Sequence, residues 1–186
     1  MTDFPLPSLC LIVDRPSCGN RILADLVSEA VAGGVDMVQL RNKHLPSKHL
    51  LAVAHQLRAA TLETALFFVN DRLDIALACG ADGVQLGEDS LPLETAREIT
   101  QNRLLLSRSV HSVEGAMEAE ANGASFLIVG TIFPTTSHPE STPSGVELLE
   151  RVRKRVHIPY LAIGGVRPEN VKSIIMAGAS GAAVIT

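Results

Sequence analysis

The sequence predicts an α/β fold, a (β/α)8 TIM barrel, on three observations: a glycine-led phrase written four times, eight short apolar runs, and helical stretches between them. The phrase reads Gly34-Val35-Asp36-Met37-Val38, Gly80-Ala81-Asp82-Gly83-Val84, Gly123-Ala124-Ser125-Phe126-Leu127 and Gly178-Ala179-Ser180-Gly181-Ala182. Each glycine suits the left-handed position that ends a helix, and each precedes an apolar run too short for another helix. Intervals of about 43 to 55 residues are the length of two strand-helix units, so the phrase marks every second strand of eight.

The elements follow in order. Strand one is Leu9 to Val13, strand two Met37 to Leu40, strand three Leu66 to Val69 and strand four Gly83 to Leu86. Strand five is Leu104 to Ser107, strand six Phe126 to Val129, strand seven Tyr160 to Ile163 and strand eight Ala182 to Ile185. Their apolar residues run with little alternation, as in strands buried on both faces of a parallel sheet. Helix signals lie between them: Ser90 with Pro92 before Leu93 to Ile99, Ser112 before the stretch ending at Asn122, and Pro168 opening the stretch to Ala177. Eight alternating units favour closure over an open doubly wound sheet, whose single glycine-rich first turn is absent.

Length and composition fit one barrel domain over residues 1–186 and exclude several function classes. The chain has 186 residues, short for a barrel that usually needs about 200 or more. It stops at Thr186, straight after strand eight, so the eighth helix is missing from the sequence and apolar surface on strands one, seven and eight is expected to be uncovered. With 46% hydrophobic and 3% aromatic residues, no Trp and one Tyr, the core is built from Ala, Val, Ile and Leu. No run approaches the roughly 18 apolar residues of a membrane span. The start Met1-Thr2-Asp3-Phe4-Pro5 lacks the basic and apolar parts of a signal peptide, so the chain reads as cytoplasmic. Cys10, Cys18 and Cys79 show no metal spacing and read as plain thiols, and His44, His49, His55 and His157 as surface residues. A net charge of -4 without a basic, aromatic-interleaved stripe offers nothing to nucleic acid.

Chemistry in such a barrel sits at the C-terminal ends of the strands. Strand two is followed by Gln39-Leu40-Arg41-Asn42-Lys43, strand three by Asn70-Asp71-Arg72, and strand four by Gly87-Glu88-Asp89-Ser90. Strand five is followed by Ser107-Arg108-Ser109-Val110-His111, and strand six by Gly130 through Pro134, Thr135, Thr136, Ser137 and His138. Gly164-Gly165 and Ile185-Thr186 come after strands seven and eight. Cations, hydroxyls and bare backbone amides on one mouth are what a phosphorylated ligand needs. Two readings stay open for several residues. Arg41 and Lys43 are phosphate ligands or solvated cations, and Asn70 and Asp71 are ligands or a helix cap. Ser90 reads as a cap ahead of Pro92, His111 as a catalytic or a structural histidine, and the stretch from Pro134 to Ser144 as a lid over the mouth.

Together Gln39-x-Arg41-x-Lys43, Asn70-Asp71, Gly80 to Gly87, Ser109-x-His111, Gly130-x-Ile132-Phe133-Pro134-Thr135 and Ala162-Ile163-Gly164-Gly165 resemble the thiamine-phosphate synthase and thiazole tautomerase superfamily. The resemblance runs in order from the first strand to the end. It implies a small phosphorylated thiazole as ligand, bound by Gln39, Arg41, Lys43, Asn70, Ser109, Thr135, Ser137, His138, Gly164, Gly165, Ile185 and Thr186.

Two branches share this pattern. A synthase ionises a pyrimidine pyrophosphate and needs Mg2+, which the resemblance implies at Asp71 and at a second Asp after strand four, with a Lys after the Pro-Thr stretch. Here those two positions hold Ser90 and His138, although adjacent Asp89 is a replacement ligand. A tautomerase needs only a proton shuttle and no cofactor, and His111 is the candidate for that shuttle because histidine is the residue type most often used as a general acid and base. Ser90, His138 and the stretch from Arg108 to Ser112 favour the tautomerase, an isomerase, with the Mg2+-dependent synthase and a non-catalytic ligand-sensing regulator as alternatives. A homo-oligomer stays open.

Overall fold

The first and last strands meet each other. β1 (Ser8–Val13) runs parallel to β2 (Met37–Leu40) with Cys10 opposite Met37, and parallel to β8 (Gly181–Ile185) with Cys10 opposite Ala183. Between β2 and β8 lie β3 (Leu66–Asn70), β4 (Gly83–Leu86), β5 (Leu105–Val110), β6 (Phe126–Val129) and β7 (Tyr160–Ile163), each paired with its neighbours in chain order. The result is a closed eight-stranded parallel barrel, a TIM-barrel α/β fold. The helices are α1 (Leu23–Ala32), α2 (Ser47–Thr61), α3 (Leu73–Cys79), α4 (Leu93–Thr100), α5 (Val113–Ala121), α6 (Gly145–Arg153) and α7 (Val171–Met176). The computed structural model describes residues 6, 8–14, 21–42, 44–137, 140 and 142–185. The expectations placed on Met1 to Pro5, Cys18, Lys43, His138 and Thr186 lie outside the described residues, as do positions 139 and 141 of the stretch expected to form a lid.

The repeated phrase does the same work each time. Gly34, Gly80, Gly123 and Gly178 all have positive φ, between 67° and 107°, at the point where a helix gives way to a strand. In the first three copies the side chain of the third residue then reaches back to the preceding strand. Asp36 Oδ2 accepts from Leu9 N at 2.8 Å, Asp82 Oδ2 from Phe67 N at 2.7 Å and Ser125 Oγ from Leu106 N at 3.3 Å. These contacts tie neighbouring strands at the end of the barrel away from the mouth. Asp82 also takes both arms of the Arg58 guanidinium, at 2.8 and 3.3 Å, which fastens α2 to the same corner.

Inside the ring an apolar floor is made by Cys10, Ile12, Met37, Phe68, Phe126, Ile128, Leu161 and Ala183. Phe68 and Phe126 meet edge to face with centroids 5.4 Å apart, a favoured aromatic geometry. Gly83 makes room for this: a Cβ there would overlap the Phe68 ring and come within 2.5 Å of the Leu105 carbonyl oxygen. Burial pushes the Cys10 thiol up to about 12, so it is an inert packing group at neutral pH. The outward faces of the strands pack against the helices through a second, larger core that includes Val38, Leu57, Phe67, Val84, Leu106, Leu127 and Leu149.

Four expectations need correction. β5 extends to Val110, so Arg108 and Ser109 belong to a strand and not to the loop after it. Ser90 does not cap α4, whose N-cap is Pro92 with no side-chain bond, whereas Ser112 does cap α5 by accepting from Gly115 N at 3.0 Å. α7 begins at Val171, after a turn through Pro168, because Asn170 Oδ1 accepts from Arg167 N at 2.7 Å and holds that turn. Of the three strands expected to be uncovered only β1 shows an exposed apolar residue, Leu9, while β7 and β8 are buried except towards the mouth. Among the described residues no helix is long and apolar enough to cross a membrane.

The Asp82 corner gives a stability test. Asp82→Ala leaves the Phe67 N–H without its acceptor and Arg58 without its partner, and is expected to cost about 2 kcal/mol. Asp82→Asn keeps an oxygen for the amide and should cost about half as much. The denaturant midpoint checks both, and an unchanged midpoint for the alanine variant would show that the corner carries no stability.

Candidate active site

The mouth ends of the strands enclose a cavity of about 1170 Å³. Its β2 to β4 side is organised around one carboxylate. Gln39, on β2 and 3% exposed, donates from Nε2 to Asn70 Oδ1 at 2.9 Å, and Asn70 donates from Nδ2 to Asp71 Oδ2 at 2.6 Å. The other oxygen, Asp71 Oδ1, accepts from Gly87 N at 3.0 Å and from the Ser90 hydroxyl. Asp71 sits at φ 58°, a left-handed conformation that Asp tolerates better than most residues. Neither Asn70 nor Asp71 caps α3, whose N-cap is Arg72 with no side-chain bond to the helix backbone, so the capping alternative is removed. Arg41 lines the cavity on this side with its guanidinium on Asp14, 3.0 Å away. Glu88 and Asp89 stand at the exposed rim.

The β5 and β6 side is neutral. Ser109 lines the cavity and its Oγ accepts from Gln85 Nε2 at 2.9 Å, while the Ser107 hydroxyl below donates to Gln85 Oε1. Gln85 is therefore oriented from both ends. His111 stands at the rim with its side chain 54% exposed. Its Nδ1 faces the Gly130 carbonyl oxygen, which can only accept, so this nitrogen carries the proton and Nε2 is left 3.8 Å from Glu88 Oε2. Arg108 points away from the cavity. Its guanidinium donates to the carbonyls of Glu88 at 2.7 Å and Leu91 at 3.0 Å, bracing the β4 to α4 loop from outside.

On the β7 and β8 side the wall is backbone. Gly164 and Gly165 have φ of 97° and 61°, and a Cβ on Gly165 would overlap the Pro134 carbonyl oxygen. Asn170 holds this turn through Nδ2 to Gly165 O at 2.9 Å. Ile185 lines the same wall, and Thr135 and Ser137 face it from the β6 to α6 loop. Ser144 N returns to Thr131 O at 2.8 Å, which anchors the far end of that loop.

Every expected site residue that is described, from Gln39 and Arg41 round to Gly165 and Ile185, thus borders one cavity. Glu88 and Ser144, from the loop after strand four and the end of the expected lid, also border it, as do Gln85 and Arg167, which were not expected. Gln85 had a signal, because Val84-Gln85-Leu86 repeats Val38-Gln39-Leu40 one pair of units later. Among the described residues no three His, Cys, Asp or Glu side chains form a group able to hold a metal by themselves.

Comparison with known proteins corrects the branch. The sequence family described as thiamine monophosphate synthase matches residues 9–186. The thiamine-phosphate synthase of Methanoculleus marisnigri is 43% identical over 180 residues, covering 96% of this chain and 85% of that protein. That of Pyrococcus horikoshii is 44% identical over 161 residues, 86% of this chain and 77% of its own. The solved thiamine phosphate pyrophosphorylase from Pyrococcus furiosus superposes with a TM-score of 0.88 at 41% identity, over 96% of this chain and 85% of that one. The two sequence relatives are named as synthases and the solved structure as a pyrophosphorylase, which overturns the expectation of an isomerase, a thiazole tautomerase. The features that favoured it read differently in three dimensions. Ser90 is bound to Asp71 and so stays part of the acidic corner, Arg108 braces a loop, and Ser112 caps a helix. The chain belongs to the thiamine monophosphate synthase family.

Proposed function

We propose that the protein is a thiamine-phosphate synthase, a transferase that joins a thiazole phosphate to a pyrimidine pyrophosphate with Mg2+. One observation carries the reading beside the relatives: the cavity has two chemically different ends, one carboxylate-lined and suited to a cation with its phosphate, the other lined by backbone and suited to a phosphate directly. The fixed Asp71 carboxylate and its oxygen neighbours lie at β3 and β4, and the glycine turn lies at β7, across an eight-stranded ring. Two phosphorylated substrates need two such ends.

The residues at the first end fit Mg2+. Asp71 and Ser90 offer oxygen, the donor type this cation takes, and Asp89 is close in sequence on the same rim. Mg2+ usually keeps waters and binds one or two carboxylates plus substrate phosphates, so the lack of a larger acidic cluster among the described residues suits it. When bound, the cation supplies charge neutralisation to the departing pyrophosphate. The chain's own residues do the rest. Asn70, Gly87 and Ser90 hold Asp71 in place, Arg41 supplies a fork for phosphate oxygens, and Gln39 and Ser109 offer hydrogen bonds within the cavity. Thr135 and Ser137 hydroxyls and the amides around Gly164 and Gly165 take the thiazole phosphate.

In this reaction the bond from the pyrimidine methylene carbon to the pyrophosphate oxygen breaks, and its electron pair leaves with pyrophosphate. The lone pair of the thiazole nitrogen makes the new carbon–nitrogen bond. No proton moves, so the shuttle assigned to His111 has no task, and the ring instead orders the rim through Gly130.

Purified protein given both substrates and Mg2+ is expected to release thiamine phosphate and pyrophosphate, and to stop when the metal is chelated. Absence of product under those conditions sinks the reading. Asp71→Asn should lower turnover by about 10² or more, as loss of a charge-stabilising group does. Ser90→Ala, which frees one side of Asp71, should weaken Mg2+ activation about tenfold, read from the Mg2+ dependence of the rate. His111→Asn should retain turnover within about tenfold, because no proton transfer depends on it.

A further inference from the structure

Charge around the cavity is unevenly placed. Among the described lining residues the carboxylates are Asp71, Glu88 and Asp89, all on the β3 and β4 side, and the Arg and Lys side chains are Arg41 and Arg167 alone. Arg41 is already paired with Asp14 at 3.0 Å. Arg167, two residues beyond Gly165, has no side-chain hydrogen bond or ion pair to any described residue, while its backbone is held: its N–H donates to Asn170 Oδ1 at 2.7 Å and Asn170 Nδ2 donates to Gly165 O at 2.9 Å. The same asparagine therefore fixes the base of the arginine and the glycine turn relative to each other.

A phosphate monoester lodged against the glycine turn brings close to two negative charges. Backbone N–H groups hydrogen-bond it but carry only partial charge. We infer that Arg167 is a phosphate-binding side chain whose guanidinium closes over the monoester of the thiazole substrate, a role that rests on the proposed function. The cation is placed where a dianion has no other full positive charge among the described residues, and Asn170 sets the distance from the turn to the arginine. Glu88 and Asp89 on the opposite rim favour that end of the cavity for the anion by repelling it from their own.

The test compares two ligands that differ by one group, the thiazole phosphate and the thiazole alcohol without phosphate, by calorimetry on the wild type, Arg167→Ala and Arg167→Lys. The arginine is exposed and its side chain has no hydrogen bond or ion pair to a described residue, so the variants are expected to fold as the wild type does. Arg167→Ala should weaken the phosphate ester about tenfold and leave the alcohol unchanged, as loss of one charge-assisted contact at a solvent-facing rim does. Arg167→Lys, which keeps the charge but not the fork, should fall between. Equal affinity of the wild type and Arg167→Ala for the ester, or a parallel loss of ester and alcohol, overturns the assignment. Product formation is read separately: a protein that binds the ester through Arg167 yet makes no thiamine phosphate keeps the site and loses the proposed reaction.

Discussion

The carboxylate of Asp71 is the contact on which the rest of the mouth depends. Three donors end on it: its chain neighbour Asn70 at the tip of β3, and the Gly87 amide and the Ser90 hydroxyl of the β4 to α4 loop. Because the carboxylate only accepts, every group around it must donate, and that requirement spreads outwards. Asn70 has to turn its nitrogen to Asp71, which turns its oxygen to Gln39, which in turn must present its own nitrogen. One charge thereby sets the orientation of two side-chain amides at the edge of a buried core, where an unpaired polar atom is costly. The outside of the same loop is held by the Arg108 fork on the Glu88 and Leu91 carbonyls, so the segment is gripped from both faces.

The barrel makes that mouth by changing composition along its strands. Inward positions at the closed end are Cys10, Met37, Phe68, Phe126 and Leu161, and those nearer the mouth are Gln39, Gln85, Ser107 and Ser109. A polar layer inside a sheet is tolerable only when its members satisfy one another, and here they do: no buried side-chain nitrogen or oxygen among the described residues lacks a partner. Gly83 is the counterpart at the floor, where the missing Cβ lets two phenylalanines meet edge to face. The floor is rigid because it is packed, and the mouth is rigid because it is bonded.

What could be read in the sequence was what repeats or what depends on residue type. The four glycines carry positive φ in a conformation that other residues resist, so their positions were visible. Strand bounds matched to within a residue except at β5, where Arg108, Ser109 and Val110 continue a strand that by composition alone had ended at Ser107. Period two then sends Arg108 outwards and Ser109 inwards, a distinction hidden while both were read as loop. Ser90 failed for another reason. As a residue type it is a good cap, and nothing local announces a bond to a carboxylate 19 positions away. The preference for the tautomerase grew from that same gap, since counting carboxylates treats a serine as an absence.

A hydroxyl at Ser90, where the resemblance implies a carboxylate, changes the corner by a charge without emptying it. Two carboxylates held close repel each other and raise the cost of keeping both ionised, a cost that a bound cation normally offsets. Ser90 donates to Asp71 instead of adding a second charge beside it, and so helps to fix the direction of that carboxylate. In the proposed reaction Asp71 and Ser90, with Asp89 on the same rim, would hold the cation, and it would neutralise charge on the pyrophosphate that arrives with the substrate. Metal affinity at such a corner would then rise when the second substrate is bound. That coupling suits a site whose task begins only when a pyrophosphate is present.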